Sequence, residues 1–523
     1  MRRALRCIPA LLALGAAGGC GYLPIGPTYH RPSLEVPPAY KESKDWKPAE
    51  PQELTSRGEW WELYGDADLD ALERQVQVSN QNVLLAAARY EQAAALLGTA
   101  RSGYFPTITA DVSSTRSRNT TTAGGGASTS GSAAAAGSAV RTQDRVSLAT
   151  LWELDVWGRV RRTVESNRES ARASAGDLAA MLLSEQATLA QSYFQLRVTD
   201  LDLGLLERSM AAYEKALEVT RNRYQAGVAQ RWDVTQAQTQ LENVRAQHLD
   251  LGITRATLEH AIAVLVGKPP AALAIPRKDQ APAIPAIPLT LPSQLLERRP
   301  DIAAAERRAA AANAQIGIAR AAWFPTLSLG GSTGYASSSF AGLLGVPNRF
   351  WSLGPDLAGT LVDFGARRYQ VRAAIASYDQ SVASYRQTVL SAFQEVEDNL
   401  AALKMLAEES TAERAAADAA AETLAIVENQ YKAGTVDYLN VVSAQNASLG
   451  AERAWRDLTN RSLAASVGLL KALGGGLRSA ALPFNCCPAA TFRSARASAA
   501  EWSTGGGPPA PAWRRPCGRG RPD

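Results

Sequence analysis

Gly330-Gly331-Ser332-Thr333-Gly334 spells the G-x-S-x-G pattern in which a serine serves as nucleophile. That chemistry needs the serine on a tight turn from strand to helix, with its Oγ standing clear of the sheet. Here a loop is expected to follow, and the corresponding stretch earlier in the chain is a Ser/Thr run, so no nucleophile is read from it. The three histidines are no better placed: His248 and His260 fall on different faces of a helix and His30 stands far off, which makes no metal site. Cys486, Cys487 and Cys517 lack the spacing of a zinc site. Only four methionines occur, the initiator among them, which disfavours the soft thioether ligands of a copper or silver carrier. With no phosphate-binding loop either, the chain reads as a non-enzyme without cofactors, and energy for any work must come from a partner.

Cys20 does have a reaction in prospect. Arg2, Arg3 and Arg6 precede a short apolar run, Ile8 to Ala17, and then Gly18-Gly19-Cys20. The run is too short to span a bilayer as a mature helix and has the form of a secretory signal. The small residues before Cys20 resemble a bacterial lipobox, in which the cysteine becomes the acylated N-terminus; Ala17 departs from the leucine favoured there, and a plainly cleaved signal is the alternative. Gly21, not an acidic residue, follows, which by resemblance to other lipoproteins permits sorting to the outer membrane. One acyl group anchors weakly, so something else must hold the protein at that membrane. From about Arg478 the composition turns abruptly to Pro, Gly, Arg and Cys without periodicity, which suits disorder or an out-of-frame extension of a chain that properly stops near Gly474-Gly475-Gly476. The net charge of +5 belongs to these ends: the signal gives +3 and the tail +5, leaving the body near −3. No nucleic-acid partner is expected.

The elements between the ends come twice. RSGYFPTITADV from Arg101 returns as RAAWFPTLSLGG from Arg320, and RYQAGVAQRWDVTQAQ from Arg223 returns as QYKAGTVDYLNVVSAQ from Gln430. Phe105 and Phe324 are 219 positions apart but Tyr224 and Tyr431 only 207, so the first copy carries 12 extra residues, placed in the Gly/Ser/Ala tract around 119–139. Copies that stay in step except at a polar tract behave as scaffold with an exposed loop tip. The expected organisation is a signal over 1–19, a lipid-anchored extended arm over 20–61, a first repeat over 62–268, a Pro-rich linker over 269–293, a second repeat over 294–476 and a tail over 477–523.

Each repeat reads helix, strand, loop, strand, long helix, turn, long helix. A helix is expected from near Asp66, with acidic residues in its first turn, to about Gly103, where Phe105-Pro106 stops it. Val146, Leu148, Trp152, Leu154 and Val156 alternate with Ser147, Ala149, Glu153 and Asp155. That period of two suits a strand with lipid or core on one face and water on the other. Leu182, Leu189, Leu196, Leu203, Met210, Leu217 and Tyr224 then recur every seventh residue, and Ala237, Val244, Leu251, Leu258 and Leu265 form a second seam. These predict two coiled-coil-like helices joined by a short turn, the first on the order of 100 Å long. The other copy's seam, Val389, Val396, Leu403, Ser410, Ala417, Leu424 and Tyr431, is smaller and suits close packing. About four strands per chain cannot close a membrane barrel, so several chains must share one; three would give 12 strands.

From Gly26 to Gly476 the chain resembles the TolC-like outer-membrane efflux factors, in particular the lipoprotein branch that serves resistance-nodulation-division pumps. The stretches that carry the resemblance are GPTYHRPSLEVPPAY from Gly26, LLERRPDIAAAERRAAAANAQIGIARAAWFP from Leu295 and YRQTVLSAFQEVEDNLAAL from Tyr385. It implies an α+β membrane protein: a homotrimer with a 12-stranded β-barrel in the outer membrane, a long α-helical barrel through the periplasm and a mixed equatorial domain. The duct would carry drugs or other small toxic compounds from an inner-membrane pump of the resistance-nodulation-division type and a periplasmic adaptor to the outside. A type I protein-secretion duct shares the fold, and a structural periplasmic lipoprotein is the non-transport alternative.

The resemblance also assigns the turns. Tyr224 to Gly227 and Tyr431 to Gly434, with Thr435, match the hairpin tips that meet the adaptor and form the periplasmic gate; a glycine there is equally a helix C-cap. Asp233 and Tyr431 stand at the family's gate Asp and Tyr positions. Val436 replaces the gate Arg, and Asn440 and Ser443 replace the acidic-ring residues. Asp437 and Arg231 are the candidates for a different ion network, or else are solvated tip charges.

Overall fold

The computed structural model describes residues 25–33, 40–41, 59–118, 140–280, 282–285 and 299–475. Cys20, the tract at 119–139 and the tail beyond Gly475 lie outside them. Each half contributes a short helical segment, a β-hairpin and a long helical hairpin. The first half runs α1 (Ala67–Ser79), α2 (Gln81–Ser102), β1 (Thr107–Arg118), β2 (Val140–Leu154), α3 (Arg159–Gln225) and α4 (Arg231–Leu265). The second runs α5 (Pro300–Ala321), β3 (Thr326–Ser337), β4 (Arg349–Ala358), α6 (Ala366–Ala433) and α7 (Tyr438–Ala472). The single helix expected from Asp66 to Gly103 is interrupted at Asn80. Its side chain accepts from the backbone N–H groups of Asn82 and Val83 and so caps a new helix, a role this residue type performs well. Repeat starts Thr107 and Thr326 are 219 apart, helix starts Arg159 and Ala366 are 207 apart, so the length difference arises wholly within the hairpin region.

The four strands form one antiparallel sheet in the order β1-β2-β3-β4, leaving β1 and β4 as open edges. Register puts Ile108 and Val112 on β1, Val146, Leu148, Trp152 and Leu154 on β2, Leu327 and Leu329 on β3 and Trp351, Leu353 and Leu357 on β4 on one face. Thr109, Asp111, Ser147, Ser332 and Ser352 occupy the other. An apolar face backed by a polar one is what lipid outside and water inside require. Among the described residues no helix is long and apolar enough to cross a membrane.

Below the sheet, α3 has 67 residues and α6 has 68, each on the order of 100 Å at 1.5 Å per residue. The heptad seam is buried as expected at Leu189, Leu196, Leu203 and Leu217 of α3, and at Val389, Val396 and Ala417 of α6. Midway, Trp60, Trp61, Tyr64, Phe194 and Tyr385 join those seams in the main core. Beside it Arg197 pairs with Asp68 and Asp200 and donates to the carbonyl of Pro276. Arg255 likewise holds Asp200 and the carbonyl of Ile275, so residues 275–276 of the expected linker are pinned to α3 and α4. The arm at 25–33 is also tied down: Arg162 donates to the carbonyls of Ile25 and Gly26, Asn313 to that of Pro27, and Arg31 to the Tyr385 hydroxyl.

Candidate functional site

The chemistry-bearing motifs do not gather. Ser332 lies inside β3, where its Oγ is 2.8 Å from that of Ser352, so the G-x-S-x-G stretch is continuous strand with no elbow and no loop until after Ser337. His248 Nε2 lies 3.2 Å from Glu207, and among the described residues no three metal-ligating side chains cluster.

The tips of the two helical hairpins do form a site. Gly227 and Gly434 both take positive φ, 75° and 80°, the conformation that ends a helix and that side-chained residues avoid. In each turn an N–H reaches back five residues, from Val228 to the Arg223 carbonyl and from Thr435 to the Gln430 carbonyl. The two tips are therefore built alike, and they pack through Tyr213, Leu217, Ala237, Leu241, Tyr431, Tyr438 and Val441.

Tyr431 is the centre of this cluster. Its ring is buried, meets Tyr438 edge-on at 5.4 Å, and lies under the Arg223 guanidinium at 4.5 Å. Arg223 also donates through Nη1 to the Tyr431 carbonyl in the last turn of α6, which accepts from the Gly434 N–H as well. A cation at that end is favoured by the helix dipole as well. The Tyr431 hydroxyl is 3.4 Å from Thr220 Oγ1. Tyr438 keeps its phenol proton well past the usual range, chiefly because it is buried, with Tyr431, Tyr213 and Asp233 adding to the effect.

The other expected gate residues sit differently. Asp233 closes a capping box with Gln230 at the start of α4, accepting from the Gln230 N–H at 3.0 Å. Among the described residues no hydrogen bond joins Asp233 to Tyr431. Asp437 is the N-cap of α7 but its side chain caps nothing, and both it and Arg231 are exposed. Neither side chain has a hydrogen-bond or ion-pair partner among the described residues; only their backbone carbonyls accept, from the Asn440 N–H and from Thr235 Oγ1. Tyr224, Val228, Trp232 and Leu439 present exposed apolar surface around the tips. Sequence reasoning missed Arg223, although the repeat marks it: Arg223 stands where the second copy has Gln430, so the two tips differ at the residue that joins them.

A four-stranded sheet with one apolar face, continued by hairpins some 100 Å long whose far ends are latched, defines the class of outer-membrane channels with a helical duct. The chain belongs to the outer membrane efflux protein family, which it matches over residues 72–268 and 291–475. It is 31% identical over 482 residues to the outer membrane protein OprJ of Pseudomonas aeruginosa, covering 91% of this chain and 97% of that one. It is 30% identical over 462 residues to the toluene efflux pump outer membrane protein TtgC of Pseudomonas putida, covering 88% and 93%. Among solved structures it is similar to the outer-membrane channel OprN, with a TM-score of 0.79 at 28% identity over 86% of this chain and 99% of that one. The open state of the Neisseria gonorrhoeae MtrE channel gives 0.72 at 26% identity over 87% and 99%. The chain is an efflux channel of the outer membrane, in line with its resemblance to efflux factors.

Proposed function

We propose that three copies of this chain form the exit duct of a tripartite pump, passing small toxic compounds from an inner-membrane transporter of the resistance-nodulation-division type through a periplasmic adaptor. The observation that carries this is the sheet: its apolar face and two open edges demand closure with further copies, because unpaired strand edges are not tolerated in lipid. The adaptor meets the tips at Tyr224, Gly227, Gly434 and Thr435, and the closed state is held around Tyr431, with Asp233 and Asp437 beside it. Acylated Cys20 supplies a second attachment. Relatives named for toluene and antibiotic efflux support a small-molecule cargo.

Cells lacking their own exit duct but carrying a matched adaptor and pump should regain export of a fluorescent dye when this chain is expressed. Unchanged dye accumulation, with a secreted protein appearing in the medium instead, would favour the protein-secretion duct. Mass spectrometry of the mature N-terminus should find acylated Cys20; an unmodified terminus elsewhere refutes the anchor and leaves the duct standing.

A further inference from the structure

On the apolar face of the sheet the charged side chains gather at one end. From Leu154 to Leu148 this face carries no charge on any of the four strands, on the order of 20 Å at about 3.4 Å per residue. Beyond it, at the end away from α3 and α6, stand Arg116 and Arg118 on β1, Asp144 on β2 and Arg349 on β4. A lipid-facing cation is costly at the middle of a membrane and nearly free at its surface, so these residues mark where hydrocarbon gives way to headgroups. Because α3 and α6 run into the periplasm, that surface is the outer one.

The arginines at the two ends of the sheet are treated differently. At the periplasmic end Arg159 pairs with Glu153 and Arg367 with Asp363. At the outer end Arg116 and Arg349 are exposed and have no hydrogen-bond, ion-pair or ring partner among the described residues. Asp144 is the one acidic residue on this face of the described strands, and it is engaged within the sheet: it is 5% exposed, and its Oδ1 accepts from Ser114 Oγ at 2.6 Å. Each unpartnered arginine also heads a column of exposed apolar side chains on its own strand. Below Arg349 come Trp351 and Leu353, and below Arg116 come Val112 and Ile108. A cation over an apolar column has the polarity of an anionic lipid's binding site.

We propose that Arg116 and Arg349 bind the phosphate groups of an outer-leaflet glycolipid, whose acyl chains lie along the apolar columns beneath them. This rests on the duct reading above, which turns this face to lipid, and it names the lipid held there. The guanidinium fork matches phosphate oxygens bidentately, and a basic side chain at a membrane surface attracts anionic headgroups. A phosphorylated glycolipid is favoured over a phospholipid because Thr142, opposite Arg116, and Tyr335, opposite Arg349, place hydroxyls beside the two cations on the same face. Hydroxyls donate to and accept from sugar as well as phosphate. The middle strands carry no arginine on this face, so the site belongs to β1 and β4.

The test uses the full chain, purified in detergent and titrated with diphosphoryl lipid A, with bound lipid counted by native mass spectrometry. Arg116→Gln with Arg349→Gln should weaken binding by roughly tenfold or more, since two charge-assisted contacts are lost. Dephosphorylated lipid A should bind the parent as weakly as the intact lipid binds that variant. Arg141→Gln removes a charge from the opposite face of β2 and should leave binding unchanged, whereas Arg116→Gln alone should weaken it. Equal affinity in the parent and the double variant overturns the site, as does an equal loss in Arg141→Gln, which would make the attraction one of net charge. Displacement of lipid A by a hundredfold excess of inorganic phosphate would assign the arginines to a free anion, and equal binding of phosphatidylglycerol would assign them to any anionic lipid; either overturns the glycolipid. Dye export by the double variant as by the parent keeps the duct reading standing when the lipid site fails, and a parent that binds lipid A as expected but exports no dye fails the duct reading alone.

Discussion

Arg223 touches Tyr431 in two ways, over its ring and at its carbonyl, and so ties the end of α3 to the end of α6. A partly desolvated cation–π contact is worth roughly 0.5–2 kcal/mol and a hydrogen bond from a charged group about 1.5–3 kcal/mol. Losing both should move an opening equilibrium at the tips by roughly tenfold or more. Arg223→Ala is therefore expected to raise open probability in planar bilayers. Arg223→Lys keeps the charge but not the planar stack and should raise it less. Tyr431→Phe, which gives up only a long hydroxyl contact to Thr220, should change little, while Tyr431→Ala should resemble Arg223→Ala. If Tyr431→Phe and Asp233→Ala open the channel as far as Arg223→Ala does, a hydroxyl–carboxylate link between protomers holds the gate. Opening by Asp437→Ala alone would move the gate to Asp437. In either case the Arg223 latch is secondary.

Helix α1 carries Glu73 on its packed face, fully buried, with both carboxyl oxygens lacking a partner among the described residues. Burial first, and the nearby Asp70 second, push its pKa up to about 9 from an ordinary 4.5. The folded state thus binds this proton more tightly than the unfolded chain does. Its stabilising contribution is complete below about pH 4.5 and is lost progressively as pH rises toward about 9, by up to about 1.4 kcal/mol per pH unit. Glu73→Gln should make the protein more stable at pH 8 and flatten the fall of Tm between pH 5 and 9. Parallel Tm–pH curves for the two proteins would count against a buried, protonated Glu73. This residue was not legible in the sequence, where a Glu in a mixed helix reads as part of the solvated face. The seam leucines were legible, because a sevenfold repeat admits few other arrangements; Tyr224, last in that series, is exposed because the helix there runs out to the tip. The apolar face of β2 could be read from alternation alone. The break at Asn80 and the Arg223 latch could not, since one depends on a local cap competing with a continuous helical pattern and the other on which hairpin lies beside which.

At the scale of the whole molecule, the two repeats are packed against each other as far as the last described residue. Gly475 sits at φ 62°, and a Cβ there would come within 2.5 Å of Leu183 and 3.3 Å of Trp60, so the end of the second repeat is seated in the core of the first. Arg299 adds a further tie, donating to the Ala472 carbonyl while paired with Asp301 and Glu395. Among the described residues this closure is made without residues 477–523, whose arginines and prolines carry no apolar periodicity. Truncation after Gly476 should therefore leave a detergent-resistant trimer that still exports dye in cells supplied with adaptor and pump. By contrast Gly475→Leu, which forces a side chain against Leu183 and Trp60 at a positive φ, should lower trimer yield even with the tail present. A truncated chain that folds but stays monomeric would show that the tail takes part in assembly. A truncated trimer that no longer exports would instead place the tail's contribution at the partners, since the duct itself would be intact.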